Sequence, residues 1–207
     1  MNKKSFWQRT NRGFVISMVI LAVVVVYVIA TQLVLSGEKK QLRKLSDDVL
    51  SIVIENSVLT DEQLAALVHD DNVINTDVMK NMNKKIKEKL SPLFVKDAEY
   101  LDTGVSSVYN TSIGGQTTGD HRIYDLKKNK LKVNGCQIDD DVASIAISYT
   151  NTETSDRIKS HAVANPKPER VENGEQFMDI TLSCKKVDGE WKIFRISEIN
   201  CWYSYKG

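Results

Sequence analysis

The 207-residue chain has few of the residues that build disulfide-rich or polyanion-binding proteins. Three cysteines cannot make a disulfide-dense framework. The 28 Lys and Arg residues are balanced by 27 Asp and Glu, and this net charge of +1 argues against a protein that binds polyanions through its whole surface. Hydrophobic residues make up 42% of the chain, which excludes a disordered chain. The composition therefore predicts one or two ordinary folded domains.

Charge is entirely missing between Gly13 and Gly37. Residues 14–35 form an apolar run of 22 residues, which as a helix spans about 33 Å and is long enough to cross a bilayer. We therefore predict a transmembrane helix over residues 13–35 whose partner is the lipid bilayer. Its anchor residues include Phe14, Val19, Leu21, Val26 and Leu33. A cleaved signal peptide would have a shorter apolar region followed by a small-x-small site, so the pattern disfavours cleavage.

The orientation of this helix follows from the charges on its two sides. Residues 1–12 carry four basic residues and no acid, but four more basic residues follow between positions 39 and 44. We expect the basic tail 1–12 to be cytoplasmic, because a short basic tail is usually retained and a large C-terminal portion can be translocated whatever its charge. The expected product is a single-pass cell-membrane protein with an extracellular C-terminal domain. Residues 38–207 carry 24 basic and 27 acidic residues, so direct binding of nucleic acid by this domain is not expected.

An amphipathic juxtamembrane helix is predicted over residues 36–59. Its apolar residues recur at helical spacing, and they are Leu42, Leu45, Val49 and Ile52. We expect Ser36 and Gly37 to loosen its junction with the membrane span. This apolar stripe could pack on the domain's own sheet, or it could pair with the same stripe of a second copy as a short coiled-coil contact.

Two further helices carry clear start and stop signals. Thr60 and Gln63 have the spacing of a capping box, which predicts a helix that runs to about residue 69. A third helix is predicted over Thr76–Leu90, because its apolar residues share one face and Pro92 ends it. Its methionines are interpreted as core residues.

Beyond Pro92 the periodicity changes from that of helices to that of strands. The predicted strands are Leu93–Leu101, His121–Leu126, Lys130–Ile138, Val142–Tyr149, Arg157–Ala164, Gln176–Val187 and Trp191–Glu198. Asp188-Gly189 between the last two predicts a tight type I′ hairpin turn. In that hairpin Cys184 lies opposite about Ile193, and Cys201 opposite about Gln176. The fold class is therefore α+β, with three helices packed on one side of a curved antiparallel sheet.

This order of elements, ending in the run from Cys184 to Ile193 with its Asp-Gly-x-Trp-Lys-Ile hairpin, resembles the nuclear-transport-factor-2-like fold. That resemblance implies a cone-shaped domain over residues 60–207, with which helix 36–59 packs. Joined to a basic tail and a single span, the chain is similar to the bitopic inner-membrane-platform component of type IV secretion systems, in the form found on Gram-positive conjugative plasmids. The resemblance implies a role in conjugative DNA transfer.

Two further segments are candidate interfaces, the first by the family resemblance and the second by its composition. Many Gram-negative members of that family carry an Asn-Pro-x-Gly turn linked to assembly, and Asn165 and Pro166 occupy a comparable place. Pro168 stands where the glycine would be, and because proline cannot adopt positive φ the turn departs from the family pattern. The second segment is the aromatic C-terminus with Trp202, Tyr203 and Tyr205, since aromatic residues are enriched in interfaces.

No motif predicts a catalytic centre, a metal site or a cofactor. The histidines at 69, 121 and 161 lack metal-ligand spacing, and Asp139 to Asp141 lack the glycine turns of a cation loop. Asp179, Tyr149 and His161 are the residues that could serve an enzyme of this fold at the mouth of the cone. The cysteines are interpreted as small buried residues, with one disulfide as the alternative.

The sequence thus supports a leading hypothesis and two alternatives. The leading hypothesis is a non-enzymatic assembly subunit of a conjugative type IV secretion channel, which associates with itself as a dimer or higher oligomer and docks other channel subunits. The alternatives are a membrane-tethered ligand-binding or catalytic cone and a cell-envelope sensor. A pocket with convergent polar groups would favour the ligand-binding alternative, and a cone filled by aliphatic side chains would argue against it.

Overall fold

A computed structural model of the chain describes residues 12–68, 73–118, 121–158 and 167–204. Within these ranges the elements are helices α1 (Arg12–Ser57), α2 (Asp61–Leu67), α3 (Thr76–Leu90) and α4 (Leu101–Ser112), and strands β1 (His121–Asp139), β2 (Val142–Arg157), β3 (Glu169–Val187) and β4 (Glu190–Tyr203). Short 3-10 turns lie at Ser91–Leu93 and Gly114–Gln116. The fold class is α+β, as predicted.

The chain divides after Lys40 into two compact units. In the first unit the apolar side chains of α1 are exposed, for example Val26 at 66% and Leu33 at 67%. Val19 and Leu21 are exposed in the same way, and Phe14 lies in α1 with its side chain outside the described part. This helix fits a single-pass membrane anchor by length and composition, criteria that a signal sequence near an N-terminus also meets.

The expected loosening at Ser36-Gly37 is absent, because α1 is assigned as one helix from Arg12 to Ser57. The Ser36 hydroxyl donates to the Leu33 carbonyl at 2.8 Å, so the hydrogen bond of this polar side chain is made within the helix. One glycine inside a helix costs about 1 kcal/mol, less than the cooperative gain of joining two helical segments. The sequence-based boundary between residues 35 and 36 therefore has no counterpart in secondary structure.

The start of α2 confirms the capping box. The Thr60 amide donates to Gln63 Oε1 at 2.9 Å, and the Gln63 amide donates to Thr60 Oγ1 at 3.2 Å. Helix α3 has the predicted bounds and begins at an Asn75 cap, whose side chain accepts from the Asp77 and Val78 amides. These local hydrogen bonds satisfy amide groups that a helix start leaves without partners.

The predicted strand Leu93–Leu101 is wrong. Phe94 forms only an isolated parallel bridge with Ile193, and the chain then enters helix α4. A Cβ at Gly104 would lie 3.0 Å from Phe94 Cζ and 3.3 Å from Ile196 Cδ1. Glycine thus allows α4 to pack closely against β4. This tertiary contact stabilises the helical conformation of a segment whose own helix propensity is weak.

The sheet is an antiparallel meander in the order β1-β2-β3-β4. The two strands predicted over His121–Leu126 and Lys130–Ile138 are a single strand, β1, and the break expected between them is a register shift between Lys128 and Lys130. The strand predicted from Arg157 is also wrong at its start, because Arg157 is the last residue of β2. Residues 159–164 lie outside the described part. Bulges thus replace turns along this sheet.

The final hairpin confirms the predicted turn. Asp188 and Gly189 have φ of 51° and 82°, the positive values that a type I′ turn requires. Cys184 pairs with Ile193 as expected, but Cys201 pairs with Met178. The two-residue difference from the expected register comes from two irregularities in the β3–β4 ladder. Cys184 and Cys201 are free thiols.

The two faces of the sheet differ in composition. Ile145, Ile147 and Tyr149 of β2 are at most 1% exposed and belong to one hydrophobic core with buried residues of all four helices. The alternate residues of β2 point to the other face, which we call the open face. They are Ser144, Ala146, Ser148, Thr150, Thr152 and Thr154. Among the residues that the structure describes, the helices therefore pack on one face of the sheet, and no core residue lies on the open face.

Candidate functional site

The space between the helices and the sheet is filled by aliphatic side chains. The largest fully buried ones include Leu50, Ile86, Leu90, Ile147 and Ile180. The juxtamembrane stripe belongs to the same core, with exposures between 0% and 8%, and consists of Leu42, Leu45, Val49 and Ile52. These side chains are buried within their own domain, so of the two uses that the sequence left open the burial favours packing inside the domain over self-association.

The residues expected at the mouth of a catalytic cone do not converge. Tyr149 is 1% exposed, and its hydroxyl lies 2.9 Å from Ser46 Oγ. Burial raises the pKa of the Tyr149 phenol. Asp179 lies on the open face, where its carboxylate accepts a hydrogen bond from Ser148. The sheet separates these two side chains, and His161 lies outside the described residues.

A buried polar group of residues lies where β2 approaches its C-terminal end, and we call it the Glu153 cluster. It comprises Glu153, Ser155 and Arg157 of β2 with His121 of β1 and Tyr203 of β4. The Glu153 side chain is fully buried, and its Oε1 accepts from Ser155 Oγ at 2.8 Å. The same oxygen lies 3.2 Å from Arg157 Nη1 and 3.9 Å from His121 Nε2. One carboxylate thus gathers three polar side chains from two strands.

The electrostatics of the Glu153 cluster follow from its burial. Burial and the nearby Arg157 cation lower the pKa of His121 to about 4, so the imidazole is neutral at pH 7. Burial raises the pKa of Glu153, while the Ser155 hydrogen bond and Arg157 oppose that shift. A carboxylate paired with one guanidinium compensates part of the cost of burying both charges.

Trp202 and Tyr203 lie within β4 and not beyond it as expected. Tyr203 packs edge-on against the His121 ring at 4.8 Å between centroids, and its ring lies 5.0 Å from the Arg157 guanidinium carbon. Burial raises the pKa of Tyr203. Trp202 points to the open face, is 44% exposed and stacks on Phe177 at 5.9 Å. Tyr203 therefore serves the Glu153 cluster, Trp202 remains a surface residue, and Tyr205 lies outside the described residues.

A cavity of about 440 Å³ adjoins the Glu153 cluster. It is lined by Arg157, Ser204 and the β3 segment from Val171 to Glu175. A Cβ at Gly174 would come within 2.8 Å of Val171 Cγ1 and 3.3 Å of Arg157 Nη2. Glycine at this position therefore allows β3 to approach the arginine closely.

Sequence reasoning missed the Glu153 cluster, although the signal was present. The alternation that buries Ile145, Ile147 and Tyr149 continues along β2 to Asn151, Glu153, Ser155 and Arg157. Continuing the same two-residue alternation to Arg157 would have placed these four polar residues on the core side of the sheet. The strand prediction stopped at Tyr149 because the residues after it are polar.

Other candidate residues have simpler placements. In residues 12–68, 73–118, 121–158 and 167–204, no three His, Cys, Asp or Glu side chains come together as a possible metal site. His69, Asn165 and Pro166 lie outside these ranges. Burial raises the pKa of Cys201 to about 11 and that of Cys184 to about 12, which makes both thiols poor nucleophiles at neutral pH.

Comparison with known proteins gives little guidance. No protein-family model matches the chain. No curated protein matches it either. Among solved structures, the chain is similar to the intermembrane-space region of the chloroplast protein ARC6, with 11% identity and a TM-score of 0.33 over 78% of this chain and 96% of that chain. A TM-score of this size establishes no shared fold.

Proposed function

We propose that this chain is a non-enzymatic assembly protein anchored in the cell membrane, with a cytoplasmic N-terminus and an extracellular domain of the nuclear-transport-factor-2-like fold. The observation that carries the proposal is the filled interior. The space where an enzyme of that fold would hold its substrate contains fully buried Leu, Ile and Tyr149 side chains. An interior filled in this way holds no small molecule between the helices and the sheet, which supports a domain that acts through its surface.

The anchor supports the assembly role. Helix α1 exposes a continuous apolar surface from Ile16 to Val34, and a bilayer is the solvent in which such a surface is stable. Confinement to a membrane raises the effective concentration of the attached domains for one another. Individually weak contacts between copies and with other subunits are then sufficient for assembly.

We further propose that the assembly is a conjugative type IV secretion channel. This step rests on the resemblance of the sequence, with its basic tail, single span and Asp-Gly-x-Trp-Lys-Ile hairpin. Its partners are copies of itself and other channel subunits at the outer face of the membrane.

Gene deletion in a strain that carries the conjugative element tests this proposal. We expect deletion to abolish transfer, complementation by the full chain to restore it, and complementation by secreted residues 41–207 to fail. Normal transfer without the gene would refute the role in secretion. Full rescue by the secreted portion would refute the need for the anchor.

A second candidate function is a tethered ligand-binding or catalytic domain, which the Glu153 cluster and its adjoining 440 Å³ cavity favour. Glu153→Gln keeps the size of the side chain and removes its charge. If the cluster is only structural, this variant retains transfer in proportion to its amount in the membrane. Loss of transfer at an unchanged amount of folded protein would favour the second candidate.

A further inference from the structure

Near Lys132, the open face of the sheet carries opposite charges on its two sides. Lys132 of β1 pairs with Ser148, which pairs with Asp179, which pairs with Asn200 of β4, so these four residues form one row across the sheet. The Asn200 amide donates to Glu198, the next acid along β4. Around this row, β1 thus contributes a basic side chain, and β3 and β4 contribute the acidic side chains of Asp179 and Glu198.

Two lysines of this face, Lys130 and Lys132, are exposed to solvent. Two β1 lysines have acidic partners, Lys127 with Asp125 and Lys128 with Asp47. Lys130 and Lys132 are exposed, and among the described residues no acid lies within ion-pair distance of either. Within the described ranges, the ammonium groups of Lys130 and Lys132 thus have no carboxylate partner on the β1 side of the open face.

The neighbouring row ends in exposed aromatic surface. Lys130 pairs with Thr150, Thr150 with Phe177, and Phe177 with Trp202. Phe177 and Trp202 stack with 16° between their planes, while Trp202 remains 44% exposed. A stacked aromatic pair at one side of a row and an unpaired lysine at the other are complementary chemistries.

Between these two sides the open face carries short side chains on β2. The central strand β2 contributes only Ser, Thr and Ala side chains from position 144 to position 154. Short side chains permit another sheet to approach at the spacing of about 10 Å that is usual for packed sheets.

We propose that the open face is the interface between two copies of this chain, related by a two-fold axis parallel to the strands. Rotation about that axis lays β1 of one copy over β4 of the other and keeps the rows matched. Lys132 of each copy then faces Asn200 and the adjacent Glu198 carboxylate of the other. Lys130 of each copy faces the indole of Trp202, where a cation over an aromatic face is stabilised. The interface is isologous, so every contact occurs twice.

The size of the face suits such a dimer. Nine residues along the strands and four strands across give about 30 Å by 19 Å, so two copies bury about 1,100 Å². This area is near the lower bound for specific protein interfaces. Confinement to the membrane, on which this inference rests through the proposed function, supplies the remaining affinity.

Charge reversal in two chains tests the interface. Full-length protein is placed in liposomes at a fixed ratio to lipid, and energy transfer between donor- and acceptor-labelled copies measures self-association. We expect Lys132→Glu and Glu198→Lys each to weaken self-association at least tenfold, because each homodimer then contains two like-charge contacts. The matched control is Lys84→Glu on the exposed side of α3, which makes the same charge change and should leave energy transfer at the wild-type level.

A mixture of the two interface variants tests the pairing of Lys132 with Glu198 directly. A Lys132→Glu copy and a Glu198→Lys copy restore opposite charges at both contacts, so the mixture should recover association close to that of the wild type. Recovery also shows that both variants are folded. The proposal is overturned if the mixture stays dissociated, if Lys132→Glu behaves like Lys84→Glu, or if the wild type is monomeric in liposomes. Recovery with normal DNA transfer in the deletion strain would retain the dimer and refute only the secretion role.

Discussion

Gln116 gives the sharpest test of how the domain is held together. Its side chain is 3% exposed, and its Nε2 donates to the carbonyls of Ser57 and Ser112 at 2.7 Å each, while its Oε1 accepts from the Ile123 amide at 2.9 Å. Ser57 ends α1, Ser112 ends α4, and Ile123 lies in β1. One amide side chain thus satisfies backbone groups of three elements.

Gln116→Leu keeps the approximate volume and removes all three hydrogen bonds. Each unsatisfied buried backbone group costs about 1–3 kcal/mol, so we expect a loss of about 3–5 kcal/mol in the free energy of unfolding after partial relaxation. Gln137→Leu, on an exposed position of β1, is the matched control and should change stability by less than about 0.5 kcal/mol.

Denaturant unfolding of the full chain in detergent, followed by tryptophan fluorescence to which the buried Trp191 contributes, measures both variants. A loss below about 1 kcal/mol for Gln116→Leu, or a loss no larger than that of Gln137→Leu, would refute the reasoning. Such a result would mean that water replaces the amide, which the burial of Gln116 argues against.

Three further predictions concern the Glu153 cluster and the hairpin. Folding lowers the pKa of His121 from 6.5 to about 4, so the contribution of the neutral imidazole to stability is complete above pH 6.5 and is lost as pH falls toward 4. The unfolding midpoint of His121→Gln should therefore fall less than that of the wild type between pH 6.5 and pH 4. An equal fall of the two midpoints would contradict the pKa shift. The raised pKa of Glu153 acts with the opposite sign in both proteins and cancels in that comparison. Gly174→Ala should cost about 1–3 kcal/mol in denaturant unfolding, because its Cβ would meet Val171, and Val171→Ala in the same chain should recover part of the loss. Gly189→Ala, at a φ of 82°, should cost about 1 kcal/mol in the same assay, and a neutral result would exclude the type I′ turn.

Local signals in the sequence predicted the elements that depend on local chemistry. Thr60 with Gln63 set the start of α2, and Asp188-Gly189 set the final turn, because capping and turn geometry involve residues adjacent along the chain. Helix α4 was missed because its Ser, Thr and Gly residues have weak helix propensity, and the contact of Gly104 with Phe94 is visible only in three dimensions.

The candidate sites were harder to predict for a related reason. Which residues share a row of the open face depends on the pairing register, and irregularities such as the shift between Lys128 and Lys130 change that register at places no local rule marks. The Glu153 cluster required the assumption that polar residues continue a buried face, which the usual reading of strand patterns excludes.

The sequential order of the sheet has a consequence for the synthesis of this chain. Each strand pairs only with its neighbours in sequence, so the sheet can grow one hairpin at a time as the chain emerges. Helix α1 is made first, yet its Ser46 meets Tyr149 across 103 residues, and the core it joins also needs Ile193 and Ile196 of the last strand. The core-facing side chains of α1, such as Leu42 and Val49, therefore stay exposed until β4 has been synthesised. A nascent chain that stops before residue 190 leaves these side chains accessible to chaperones and proteases.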